Sequence, residues 1–223
     1  MAAIRENISK ILDGLPDGVQ LVAAAKRRRP EEIMEAVDAG VKIIGESYIK
    51  EAKNAYKLIG GKAKWHYIGI PQIEKHDLLK RKNLKMFNMI QTIDSMEIAE
   101  DINRKCAGFG KVMPILIEVN SGKEPHKFGV LPERAVSLVK KISTLSNVKI
   151  MGLMTMGPRL GDPEKTRPYF KKTREIFERI KKMNLPGVEM KYLSMGMTNS
   201  YKVALQEGAN IVRVGNKIFG KRK

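Results

Sequence analysis

Eight short apolar runs, each followed by a stretch of helical length, constrain this chain more than any other feature of it. The runs are "VQLVAAA", "VKIIGE", "KWHYIGI", "MFNMIQTI", "VMPILIEV", "VKIMGLMTM", "EMKYLSMG" and "NIVRVG". Between them lie "PEEIMEAVDAG", "YIKEAKNAYKLIG", "IEKHDLLKRK", "SMEIAEDINRKCAG", "LPERAVSLVKKISTL", "PEKTRPYFKKTREIFERIKKM" and "NSYKVALQEG", several opening with Pro or Ser and closing on Gly. Strict alternation of strand and helix implies parallel strands joined by crossover helices. Eight such units in 223 residues suit a closed (β/α)8 TIM barrel, with the amphipathic "IRENISKILDGL" as an N-terminal helix. An open doubly wound sheet is the alternative. Punctuation falls at short intervals and no low-complexity linker interrupts it, so a single α/β domain over residues 1–223 is expected.

Closure has a chemical consequence. In a barrel the first and last strands are neighbours, and the segment after every strand faces the same rim, where barrel enzymes place their sites. Lys26 follows strand one, "SMGMTNS" follows strand seven and "RVGNKIFG" ends strand eight. Three segments distant in sequence then surround one patch, close to where strands seven and eight commonly hold phosphate.

Composition narrows the function classes. Forty-two Lys and Arg against 24 Asp and Glu leave a formal charge of +18, a surface that attracts phosphates and polyanions. The charge lies in scattered clusters such as "KKTREIFERIKK" and the terminal "GKRK", and no arginine-glycine repeat, zinc-finger spacing or aromatic RNA-recognition motif accompanies it. Nucleic-acid binding rests on charge alone. The single cysteine, Cys106, cannot form an internal disulfide, and the sequence holds no signal-peptide region or membrane-length apolar run. A soluble cytoplasmic monomer without membrane contact is the expectation.

Lys26 ends the apolar "LVAAA" and precedes Arg27, Arg28 and Arg29. It reads either as the first member of a solvated run or as an amine held at a strand end. An ordinary lysine is neutral in only about one molecule in 2500 at pH 7, so an apolar wall and close cations would raise the supply of nucleophile. In "LSMGMTNSYKVALQEG", Ser194, Gly196 and Thr198 precede a helix whose amides could receive an anion, or simply cap it. Arg213 interrupts an apolar strand and needs a partner: a carboxylate, an aromatic nitrogen or a phosphate. Gly215 lets backbone approach a ligand closely, whereas Ile218 and Phe219 read as core. An amine for a carbonyl, donors for a phosphate and an arginine for a ring nitrogen are together what pyridoxal 5'-phosphate requires.

The chain also resembles the pyridoxal phosphate homeostasis proteins, single-domain relatives of the alanine racemase barrel. The likeness runs through "LVAAAKRRRPEEIMEAVDAGVKIIGESYIKEA", "KWHYIGIPQIEKH", "IEVNSGKEPHKFGV", "IMGLMTM" and "LSMGMTNSYKVALQEGANIVRVGNKIFGKR". It implies a Schiff-base role for Lys26, a phosphate end made by Ser194, Met195, Gly196, Met197 and Thr198 with Gly215 and Asn216, and Arg213 at the pyridine nitrogen. His66, Ile68 and Met154 would sit on pocket-lining strands, although His66 reads equally as an ordinary satisfied polar group. Two departures stand out: Ala25 replaces the family's usual serine before the lysine, and Ser47 the asparagine of its "GEN". Ser47 is shorter, which implies a less closely packed ring face. The family's early proline is displaced to Pro30.

The resemblance implies buffering or delivery of pyridoxal 5'-phosphate, with amino or keto acids and cofactor-dependent apoenzymes as further partners. A weak racemase-like enzyme is the alternative. Racemisation needs a second acid/base, usually a tyrosine from a separate β domain that this sequence does not contain. An arginine at the pyridine nitrogen also disfavours the protonated ring that stores a carbanion. No metal is implied.

Overall fold

The computed structural model describes residues 2–158 and 161–221, so the terminal Arg222 and Lys223 of the basic "GKRK" lie outside the described residues. Eight strands close into a parallel barrel in sequence order: β1 (Gln20–Ala24), β2 (Ile43–Glu46), β3 (Lys64–Tyr67), β4 (Met89–Ile93), β5 (Met113–Glu118), β6 (Val148–Met154), β7 (Val188–Ser194) and β8 (Ile211–Val214). Helix α1 (Ala2–Leu12) precedes them. The outer layer is α2 (Pro30–Asp38), α3 (Ile49–Ile59), α4 (Lys75–Leu78), α5 (Arg81–Met86), α6 (Met96–Ala107), α7 (Pro132–Ile142), α8 (Arg167–Lys181) and α9 (Tyr201–Gln206), with α10 (Asn216–Phe219) after β8. The expected (β/α)8 barrel is therefore the fold, and the open sheet is excluded because β1 pairs with β8.

Local chemistry sets these elements. Pro30 and Pro132 begin α2 and α7, where a missing N–H costs nothing. The Ser95 hydroxyl accepts the Ile98 N–H at 3.4 Å to cap α6. Period-two alternation sorts β1 and β8. On β8, Val212 and Val214 join the large core between barrel and helices, whereas Arg213 lies beside Val22 of β1 in register and faces inward. On β1, Leu21, Ala23 and Ala25 pack in the same outer core, while Val22 joins Ile43 and Ile211 in a small cluster inside the barrel. A second interior cluster holds Met89, Leu116 and Met154.

Two helical expectations are corrected. "IEKHDLLKRK" is not one helix but α4 and α5: Lys80 is extended (φ −67°, ψ 131°), and the Asn83 side-chain amide reaches back 2.6 Å to the Asp77 carbonyl across the break. The segment opening at Pro163 starts as a 3-10 turn, Pro163–Thr166, before α8.

Gly152 is the tightest point of the sheet. It adopts φ +144°, and a β-carbon there would stand 1.8 Å from the Tyr192 carbonyl oxygen on β7, where the β6–β7 register shifts. Gly152→Ala should therefore destabilise the protein by about 3 kcal/mol or more, by strain and overpacking together. Chemical denaturation compared with the parent checks this.

Candidate functional site

The C-terminal ends of the strands enclose a cavity of about 460 Å³. Its walls include Ala24, Lys26, Ser47, Ile68, Met154, Met197, Thr198, Arg213, Gly215 and Asn216. The first, second, seventh and eighth strand ends thus meet in one place, as barrel closure requires.

Lys26 continues the inward face of β1 after Ala24. The next residue turns sharply: Arg27 has φ +58°, a conformation costly for a residue with a β-carbon, and its N–H donates to Glu51 Oε2 at 2.7 Å. The half-buried amine of Lys26 lies 4.7 Å from the Tyr48 ring centroid and donates no hydrogen bond among the described residues. The neighbouring arginines are held elsewhere. Arg28 donates to the Phe219 and Gly220 carbonyls, Arg29 meets Glu32 at 3.5 Å, and Arg27 is exposed. The expected triple-cation environment for the lysine does not form, because each arginine on this turn has its own direction.

The same cavity wall carries a set of backbone donors. The N–H groups of Thr198, Asn199, Gly215 and Asn216, all from cavity-lining residues, have no hydrogen-bond partner among the described residues. The loop itself is fixed by Met197 N–H to Ser200 Oγ at 3.2 Å and by Ser200 and Tyr201 N–H to the Met197 carbonyl at 2.9 and 2.8 Å. Free amides converging on one space suit an anion with several oxygens. Gly196 shapes the bend at φ +87°, where a β-carbon would come within 2.7 Å of Tyr201 Cα. At Gly215 a β-carbon would stand 3.0 Å from the Ala24 carbonyl oxygen.

Arg213 lines the same cavity from β8 and is buried. It donates to the Ser194 carbonyl and hydroxyl at 2.9 and 2.6 Å and to the Thr155 carbonyl at 2.8 Å. Three of its five N–H groups are thereby committed and two remain. Burial pulls its pKa down to about 10, against the attraction of Glu118, so it stays a cation at neutral pH. The Ser194 hydroxyl passes its own hydrogen to Gln91 Oε1 at 2.7 Å, and Gln91 Nε2 donates to His66 Nδ1 at 2.8 Å. His66 is thus an acceptor at Nδ1, and burial holds its pKa near 3, neutral across the working range.

These positions divide the residues expected from sequence. Lys26, Ser47, Ile68, Met154, Met197, Thr198, Arg213, Gly215 and Asn216 line the cavity. Ser194 and His66 lie beneath it in the interior network, Met195 is buried in the outer core, and Gly196 forms the bend. Gln91 and Thr155 were missed. A polar residue inside the apolar "MFNMIQTI" run was the available signal for Gln91.

The sequence matches the alanine racemase N-terminal domain family over residues 1–223. It is 36% identical to the pyridoxal phosphate homeostasis protein of Aquifex aeolicus, covering 100% of this chain and 97% of that one. The chain belongs to the pyridoxal phosphate homeostasis protein family. Its relative in Schizosaccharomyces pombe, of the same name, is 32% identical over 98% of this chain and 90% of its own. Among solved structures, PipY of Synechococcus elongatus with PLP bound superimposes with a TM-score of 0.87 at 28% identity, covering 97% of this chain and all of that one. Of the two departures from the family pattern, Ala25 packs in the outer core and takes no group away from the cavity, whereas Ser47 is part of the wall.

The "GES" segment also carries Glu46, which pairs in register with Tyr67 and is fully buried, neither carboxyl oxygen having a hydrogen-bond partner among the described residues. Burial, with Glu51 and Glu74 nearby, raises its pKa to about 8. The folded protein therefore holds a proton that the unfolded chain releases near the ordinary carboxylate pKa of ~4.3. Stability falls as pH rises between these values, since the native state binds more protons there. Glu46→Gln, which mimics the protonated acid, should melt with the parent near pH 4 and increasingly above it as the pH rises to 8. Thermal unfolding across this range measures the difference.

Proposed function

We propose that this chain holds pyridoxal 5'-phosphate through Lys26 and serves to buffer or deliver it, with little or no catalysis. The observation that carries the reading is the meeting, in one cavity, of a lysine amine and four backbone amides that have no hydrogen-bond partner among the described residues and a buried arginine with two donors to spare. The bound cofactor would supply an aldehyde able to condense with a primary amine. Lys26 supplies that amine. The amides of Thr198, Asn199, Gly215 and Asn216 bind the phosphate oxygens, and Met154 and Ile68 give apolar walls. Arg213 donates toward the ring nitrogen and, as a cation, keeps a proton off that atom, which leaves the ring a poor store for carbanion charge.

The names of the family's other members and the PLP-bound PipY support this reading. The recipients would be apoenzymes in the cytoplasm, served by a single-domain monomer. Among the described residues no helix is long and apolar enough to cross a membrane.

Purified protein should absorb as a lysine-linked cofactor and lose that band on borohydride reduction. Lys26→Ala should abolish the reducible band while leaving thermal unfolding nearly unchanged; a reducible band persisting on another lysine would overturn the assignment. At the phosphate end, Gly215→Val should weaken pyridoxal 5'-phosphate far more than pyridoxal. Equal weakening of both, measured by absorbance titration, would mark a general packing defect.

A further inference from the structure

A second cavity, of about 240 Å³, opens beside the first and shares Ile68 and Met156 with it. The site proposed for the cofactor uses one of its polar groups, the Thr155 carbonyl that accepts from Arg213. Two others are buried and bare. The Thr92 hydroxyl, on a residue 3% exposed, has no hydrogen-bond partner among the described residues. The Glu118 carboxyl, on a residue 8% exposed, accepts no hydrogen bond among the described residues. Buried polar groups are normally paired, so a lone hydroxyl and a lone carboxyl in one cavity wall point to a ligand.

The charges around them decide its sign. Lys127 lines the same cavity but is tied to Glu124 Oε1 at 2.6 Å and the Gly157 carbonyl at 2.9 Å. Arg213 attracts Glu118 from β8, yet its bonds go to Ser194 and Thr155. Asp94, at the end of β4, is a like charge, and its oxygens accept from Gln72 and the Gly129 N–H. His126, on the same wall, is exposed. Glu118 is the carboxyl in this wall that lacks a cationic partner in contact.

We propose that this second cavity binds a small primary amine, its ammonium group on Glu118 and Thr92 and its alkyl body against Ile68, Val119 and Met156. An ammonium donates three hydrogen bonds and neutralises a carboxylate, whereas a carboxylate ligand would face Glu118 with like charge. The volume suits a body of a few carbons. This site is separate from the Lys26 amine and does not depend on what Lys26 holds.

Burial and Asp94 push the Glu118 pKa up to about 7, with Arg213 opposing. An ammonium beside it favours the ionised form, so affinity should be present above pH 7 and lost below it, by about tenfold between pH 8 and pH 6.

The test is calorimetric titration of n-butylamine hydrochloride, and separately sodium butyrate, into full-length Lys26→Ala protein freed of cofactor, so that no covalent capture at Lys26 contributes. Saturable butylammonium binding at one site, weak or absent butyrate binding, and the stated rise with pH are expected. Glu118→Gln should lower the affinity about tenfold or more and flatten its pH dependence, and Thr92→Val should lower it severalfold. No binding of the amine, butyrate binding as tight as the amine's, or unchanged affinity in Glu118→Gln overturns the proposal. Should Glu118→Gln fail to fold, undiminished binding in Thr92→Val or a flat pH series in the parent overturns it equally.

Discussion

A guanidinium buried inside a β-barrel is the constraint around which this site is arranged. Arg213 cannot give up its charge, so its burial demands acceptors, and β6 and β7 provide them as the Thr155 and Ser194 carbonyls and the Ser194 hydroxyl. The rest of the interior polar network follows in order. Ser194 must then donate onward, Gln91 receives that hydrogen and offers its amide, and His66 ends the line as a neutral acceptor. Each group fixes the orientation of the next, and the line runs from β8 across the barrel to β3. The arginine, itself part of the cavity wall, is thereby held in place by a line of bonds that spans several strands.

Much of this was legible in the sequence, because period-two alternation within apolar runs carries direct information about which side chains share a face. The eight strands came instead from the alternation of apolar runs with helix-length stretches, and their number favoured closure, which would gather Lys26, Arg213 and Gly215 at one rim; the pairing of β1 with β8 then excluded the open sheet. Arg213 stood out because a charged residue inside "NIVRVG" needs a partner, structural or ligand. Gln91, Glu118 and Glu46 carried the same kind of signal in their own strands, but a lone polar residue does not say whether it faces inward, outward or into a loop. The β4–β5 register shift between Ile90 and Ile93 shows why: adjacent Gln91 and Thr92 contribute to an interior network and a cavity wall, which simple alternation forbids.

Side-chain direction on turns was less legible still. "KRRRP" suggests a block of like charge, yet the left-handed Arg27 disperses its members, sending Arg28 to the chain's last helix and Arg29 to Glu32. The second cavity draws on residues 119–128, a loop segment whose path depends on contacts such as Asn120 with the Glu124 and Lys127 carbonyls. No periodicity encodes such a path. Helix α10 escaped notice because four residues after a strand give no repeat to detect, although Ile218 and Phe219 are buried as their apolar character suggested.

The contacts of Arg28 with the Phe219 and Gly220 carbonyls, and of the Asn7 amide with the Ile218 carbonyl at 3.1 Å, tie the beginning of the chain to its end. During synthesis, Lys26 leaves the ribosome long before Arg213, Gly215 and Asn216 exist. A nascent chain therefore carries the amine without the cradle, and its first strand waits with one edge unpaired until the eighth arrives. The anion cradle proposed at this rim is complete only when the final strand docks, so capture of a ligand there would report that the whole barrel has closed.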